Sequence, residues 1–132
     1  MENLKILKKK KKDVLKKIQE GAPLCVRKKY LYIFESEEKL FNTSFSISSY
    51  NKTGKYPTLQ MEISLEGKGI TIASRQSKHG KENLKSLYNL IKIFKELTTT
   101  IKTLENIEDI EEEISSTKFH ISKKTKSFSR EN

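Results

Sequence analysis

Apolar and polar residues alternate most regularly between residues 59 and 74, and the rest of the chain is arranged around that stretch. Leu59, Met61, Ile63 and Leu65 alternate with Gln60, Glu62, Ser64 and Glu66, the period of two that marks a strand with one buried and one wetted face. Gly67, Lys68 and Gly69 provide a turn, after which Ile70 and Ile72 resume the alternation to Ser74. Two strands cannot bury such a row unaided. A further strand is expected where Phe41, Phe45 and Ile47 alternate with Asn42, Ser44, Ser46 and Ser48, its outward face small and polar. Another is expected over residues 27–35, where Tyr30, Leu31, Tyr32, Ile33 and Phe34 make both faces apolar. Residues 36–39 read as a polar turn between these two. Residues 51–55, containing Thr53-Gly54, read as a hairpin loop, with Pro57 at the start of the next strand.

On either side of the strands the period changes to that of a helix. Leu4, Leu7, Val14 and Ile18 share one stripe over residues 3–20, with Gly21 as a stop and Pro23 against continuation. Leu84, Leu87, Tyr88, Ile91, Phe94 and Leu97 define the strongest helix, the natural cover for the sheet. A bend or break is expected at Thr98, Thr99 and Thr100, whose β-branched side chains weaken helix propensity. Ile101, Leu104, Ile107, Ile110 and Ile114 then continue an apolar stripe that exceeds what one small core needs, which predicts a homodimer seam. The expected fold is α+β: an N-terminal helix, a four-stranded antiparallel sheet, a long C-terminal amphipathic helix and a disordered tail. The divisions are a basic helix over 1–22, a core over 23–115 and a basic tail, rich in Ser and Thr, over 116–132.

Charge narrows the function. The 132 residues carry a net +10, with 24 Lys against 3 Arg, which predicts an acidic partner such as nucleic acid or an anionic surface. Lysine holds phosphates as point charges, whereas arginine's fork more often reads guanine edges, so backbone tracking is favoured over base readout. The run of five lysines at residues 8–12 reads either as a solvated face or as a phosphate-binding arm. The N-terminal helix lacks an aromatic anchor for a membrane, and no apolar run approaches the roughly 20 residues of a membrane span. An intracellular protein is expected, with no membrane partner.

Catalytic signatures are missing from the sequence. Cys25 stands alone, His79 and His120 have no neighbouring ligand spacing, and no nucleophile elbow, phosphate loop or dinucleotide fingerprint occurs. The expectation is a protein that is not an enzyme, with no cofactor, metal site or small-molecule substrate.

Single-stranded nucleic acid asks for cations that track phosphates and π-faces on which bases stack. Arg27, Lys28 and Lys29 precede Tyr30 and Tyr32; Lys52 and Lys55 accompany Tyr50 and Tyr56; Arg75, Lys78 and Lys81 follow the last strand. These residues form the candidate interface. Tyr30 and Tyr32 read equally as core or dimer-interface aromatics. Glu62 and Glu66 argue against phosphates running straight across their strand. Six acids and no base lie in residues 105–113; they read as a solvated helix face or as a competitor for the cationic surface.

The order of elements adds a resemblance. A basic N-terminal helix, a strand meander around Thr53-Gly54-Lys55, Met61-Glu62-Ile63 and residues 69–72, and a helix opened by Leu84-Lys85 resemble the small single-stranded DNA-binding proteins of rod-shaped viruses of hyperthermophilic archaea. The likeness covers roughly residues 1–115, and the acidic-then-basic C-terminal organisation is similar too. It implies an α+β dimer that binds single strands without sequence preference in a groove built by both subunits, in the host cytoplasm. This chain departs in its denser lysine run and additional strand tyrosines. Four strands with a helix also resemble the plant and animal coactivator folds that bind single strands. The reading is therefore a homodimeric protein for single-stranded nucleic acid, DNA in preference to RNA. Its rival is a scaffold protein that docks a partner on the residue 101–114 helix.

Overall fold

The computed structural model describes residues 2–51 and 57–125, with side chains described between Asn3 and Ser116. Helix α1 spans Glu2–Cys25; a 3-10 turn at Lys28–Tyr30 leads to two short helices, α2 (Tyr32–Glu35) and α3 (Glu37–Asn42). Strands β1 (Ser44–Tyr50), β2 (Thr58–Leu65) and β3 (Lys68–Arg75) follow, then helix α4 (Lys78–Thr125). The strands form one antiparallel sheet in the order β1-β2-β3. The fold is α+β, as expected, but the sheet has three strands.

The expected strand over residues 27–35 is helical. Tyr30, Ile33 and Phe34 stand at helical i, i+3, i+4 spacing; Ile33 and Phe34, adjacent in sequence, are both buried, whereas a strand would send one of them outward. A five-residue apolar run does not distinguish a short buried helix from a buried strand by periodicity. The segment after it is a helix for a reason legible in the sequence. Ser36 is the N-cap of α3, its hydroxyl accepting the Lys39 N–H at 3.2 Å, and Glu37 and Glu38 occupy the positive first turn. Phe41 therefore belongs to α3, and β1 begins only at Ser44.

Two expected helix ends are absent. Helix α1 continues through Gly21 and Pro23, and the Val26 N–H still reaches the Ala22 carbonyl at 2.8 Å. Burial of Ala22, Cys25 and Val26 stabilises this last turn, as tertiary packing overrides local propensity. Helix α4 runs unbroken through Thr98–Thr100. The Thr98 hydroxyl donates to the Phe94 carbonyl at 2.8 Å and the Thr103 hydroxyl to the Thr99 carbonyl at 3.0 Å, a bonding mode compatible with the helix. It also extends to Thr125, so residues 116–125, expected in a disordered tail, are helical. Residues 126–132 lie outside the described part.

The β2–β3 connection is a two-residue turn with positive φ at Glu66 (51°) and Gly67 (79°), so Lys68 and Gly69 belong to β3. Further along, Met61 pairs with Ala73 and Glu62 with Thr71, leaving Ile72 as a bulge. The bulge turns both Ile72 and Ala73 into the core and leaves the Ile72 carbonyl to accept the Arg27 N–H at 2.9 Å. The inner sheet face (Leu59, Met61, Ile63, Ile72, Ala73) shares one core with Val14 and Ile18 of α1 and with Leu84, Leu87, Ile91 and Phe94 of α4. Helices α1 and α4 run antiparallel: Gly21 faces Leu87, while Lys8 pairs with Glu105 at 2.9 Å. No helix among the described residues is long and apolar enough to cross a membrane.

Candidate nucleic-acid interface

Four element ends converge at one corner. The C-terminus of α1, the 3-10 turn, the end of β3 and the start of α4 meet there. Arg75 ties them together: its Nη2 donates to the Leu24 carbonyl at 3.1 Å and its Nη1 to the Ser74 carbonyl at 2.9 Å, placing a cation at the negative end of α1. Its side chain also packs on Gly80 of α4, where an added Cβ would stand 3.0 Å from Arg75 Cδ. Ser77 caps α4 by accepting the Gly80 N–H at 3.0 Å. Lys81 reaches the Pro57 carbonyl at 3.5 Å. Arg27 is bonded to β3 through its backbone, and its side chain, like those of Lys28, Lys29 and Lys78, is exposed. The structure therefore brings two of the expected clusters together, Arg27–Lys29 and Arg75 with Lys78. Beneath them Cys25 is buried, which pushes its thiol above the ordinary 9.0 against the opposing pull of Arg75.

A second cationic surface lies on α1. Lys5, Lys9, Lys12 and Lys16 are all exposed on α1 and, at spacings of four, three and four, form one row opposite the buried stripe of Leu4, Val14 and Ile18. The row is about 16 Å long at the helical rise. Lys9 also contacts Asp13 at 3.5 Å. Lys8 and Lys11 turn aside to Glu105 (2.9 Å) and Glu37 (3.0 Å). The residue 8–12 run is therefore split between a solvated row and intramolecular ion pairs.

The outer sheet face is not cationic. Its positions are Ser44, Ser46, Ser48 and Tyr50 on β1, Gln60, Glu62 and Ser64 on β2, and Thr71 and Ser74 on β3. Among the described residues it carries hydroxyls, amides and one carboxylate, with no lysine or arginine. A phosphate track across this sheet is not what the fold builds.

The tyrosines are also placed differently from expectation. Tyr30 lies in the 3-10 turn, half-buried against the core, and Tyr32 opens α2 with 45% exposure; neither is on a strand. Lysines of the same chain already cover their rings, Lys29 over Tyr30 at 5.2 Å and Lys39 over Tyr32 at 5.3 Å. Tyr50 is the strand tyrosine that faces outward, 39% exposed, its hydroxyl accepting the Gln60 amide at 3.2 Å. Lys52, Lys55 and Tyr56 lie outside the described residues. Sequence reading passed over Lys5 and Lys16 and took Lys9 and Lys12 only within the run over residues 8–12. The common face of these four, on a helix whose opposite stripe is apolar, was the usable signal; the approach of Lys81 to Pro57 depends on the tertiary fold.

Two further features bear on chemistry. Lys95 donates to the Thr43 carbonyl and stands over the Phe45 ring at 5.3 Å; burial pushes its ammonium below the ordinary 10.5. Among the described residues, no three His, Cys, Asp or Glu side chains are placed to hold a metal ion. Comparison of the chain with protein-family models, curated proteins and solved structures finds no match.

Proposed function

We propose that this protein binds single-stranded nucleic acid without sequence preference, holding phosphates along α1 and at the corner where α1, β3 and α4 meet. The observation that carries the reading is the exposed row Lys5, Lys9, Lys12 and Lys16 on a helix whose far end leads to Arg27, Lys28 and Lys78. Ammonium groups about 4.5–6 Å apart along the helix suit a flexible phosphate chain, which can adapt to the row. The predominance of lysine over arginine supports backbone holding over base reading. Among the described tyrosines, Tyr32 and Tyr50 are the ones exposed enough to accept a stacked base. DNA in preference to RNA is proposed in keeping with the archaeal-virus proteins that the sequence pattern resembles.

Fluorescence anisotropy with labelled single-stranded DNA, duplex DNA and single-stranded RNA tests the proposal. Single strands are expected to bind more tightly than duplex, whatever their sequence, with log affinity falling by about 0.7 per neutralised phosphate for each unit of log salt. Absence of binding at low salt overturns it. The competing scaffold reading draws on Ile107, Ile110 and Ile114, which are exposed on α4; it is favoured if that helix captures a partner while nucleic acid does not bind.

A further inference from the structure

The apolar row expected as a dimer seam on α4 begins at Ile101, which is buried in the protomer's own packing, so that seam is partly used up. The two edges of the sheet differ more clearly. Edge strand β3 is closed to further pairing: it has a bulge at Ile72, whose carbonyl is taken by the Arg27 N–H at 2.9 Å, and Lys68 and Arg75 stand at its ends. Bulges and edge charges are means by which a strand is kept from pairing with another chain. Strand β1 has neither. Its seven residues hold no charge, no proline and no bulge, and no described element pairs with its outer side. The direction of its backbone groups follows from the β2–β3 turn. Leu65 and Lys68 flank two turn residues and so form a hydrogen-bonded pair. Alternating back along β2, Ser64, Glu62 and Gln60 turn their groups toward Ser44, Ser46 and Ser48 of β1. The N–H and C=O groups of Phe45, Ile47 and Ser49 therefore point away from the sheet. Ile47 is half-buried, although Met61 beside it on β2 is fully buried.

Charge and symmetry identify the occupant. We infer that β1 pairs antiparallel with β1 of a second copy, about a twofold axis at Ile47, joining two three-stranded sheets into one. That register sets Ile47 against its own copy, Phe45 against Ser49 and Ser46 against Ser48. Every outward group on both strands then finds a partner, in about six ladder hydrogen bonds. The contact is self-complementary, as a twofold interface requires. A shift of one residue sets outward groups against inward ones, and a larger shift leaves part of the edge unpaired. The half-buried Ile47 side chains meet on the core side of the joined sheet, where each lacks cover in its own protomer. The chain carries a net +10, so copies repel wherever their lysines face each other. Strand β1 carries no charge, and two copies can meet along it without placing cation on cation. An acidic partner finds no cation on this strand to hold it. None of these observations involves the nucleic-acid reading.

Light scattering and sedimentation equilibrium of the full chain, without nucleic acid, test the inference. The expected species is a reversible dimer of twice the 15.4 kDa protomer. Added salt is expected to tighten it, because screening relieves the repulsion between two chains of net +10. Ser49→Pro removes an outward N–H and leaves the β1–β2 ladder intact. It is expected to raise the dimer dissociation constant at least roughly tenfold, since two hydrogen bonds are lost across the axis, with unchanged circular dichroism. Oxidative cross-linking reads the register, and decides the matter even if Ser49→Pro lowers stability. Ser46→Cys mixed with Ser48→Cys is expected to give a covalent dimer, since the two positions oppose each other with Cα atoms about 4.5 Å apart. Either variant alone is expected to cross-link poorly, its two copies lying about 7–8 Å apart on the diagonal. The wild type, whose Cys25 is buried, is the control. A protein monomeric at its highest soluble concentration, a dimer indifferent to a folded Ser49→Pro, or cross-linking by either cysteine variant alone equal to that of the mixture overturns the proposal. Each of these outcomes leaves the anisotropy result untouched, so the two readings fail separately.

Discussion

Two solvent-facing surfaces of this protein, the outer face of α1 and the outer face of the sheet, divide its chemistry sharply. Both back onto the same core. The helix face is cationic, with Lys5, Lys9, Lys12 and Lys16 in one row; the described sheet face carries no cation, built from Ser44, Ser46, Ser48, Ser64 and Thr71 with Glu62 among them. The difference teaches that net charge says little about where a polyanion sits until the faces are sorted. A helix can hold several long cations in a row with their stems splayed in water. A three-stranded sheet face of the same polarity, filled with short hydroxyl side chains, offers phosphates little attraction.

Five tests would break or sharpen this contrast. The largest effect is expected from Lys5, Lys9, Lys12 and Lys16 changed together to Gln. Single-strand affinity at low salt should fall by roughly ten- to a hundredfold, and the salt slope should flatten by about 2.8, four phosphates at 0.7 each. An unchanged slope would move the interface off α1.

Next is the corner between the two faces, where Arg75 braces more than it binds. Arg75→Gln removes the bond to the Leu24 carbonyl and is expected to cost about 1–2 kcal/mol in a urea melt, with a smaller loss of affinity. Tyr50→Ala, on the sheet face but at the corner end, should cost about 1 kcal/mol of binding with little change in melting temperature. A loss that appears only in the melt would make Tyr50 a structural residue.

A pH series probes the buried side of the same corner. Because burial raises the Cys25 thiol, the folded protein keeps this proton where the unfolded chain has lost it. Its contribution is complete below 9.0 and is lost as pH rises through the raised folded value. Lys95 acts in the opposite sense: its lowered value makes stability rise as pH climbs from that value toward 10.5. Cys25→Ala should therefore reduce the alkaline loss of stability in urea melts, and Lys95→Met should deepen it.

The smallest effect belongs to the sheet face. Ser46→Ala with Ser48→Ala should change affinity by less than about 0.5 kcal/mol, within the range of an ordinary surface substitution. A larger loss would give the hydroxyl face a role in binding and erase the contrast.

Much of the fold was legible because its periodicities are long and clean. The alternation from Leu59 to Leu65 became β2, and the row from Leu84 to Leu97 became the buried face of α4. Errors clustered where runs were short or where one residue was weighed alone. Five apolar residues at 30–34 suited either helix or strand; the N-cap Ser36 followed by two acids was the overlooked cue. Gly21, Pro23 and the three threonines were weighed as local breakers, yet packing by Ala22, Cys25 and Leu97 held both helices together. Within the candidate interface, the sequence brought out the clusters but assigned Tyr30 and Tyr32 to a strand, because aromatic enrichment favours that reading.

The sequence by itself determined the α+β class, the amphipathic character of both long helices, the β2–β3 pairing and the strongly basic balance, since these follow from composition and period. The tertiary structure decided which cations are free and which are spent. Lys8 and Lys11 are committed to Glu105 and Glu37, Arg75 braces α1 against β3, and the row on α1 stays in water. It also decided that Ile101 is buried while Ile107, Ile110 and Ile114 are not. The physical reason is distance: a lysine or isoleucine is assigned a role by what chain folds back against it, and that partner can lie a hundred residues away.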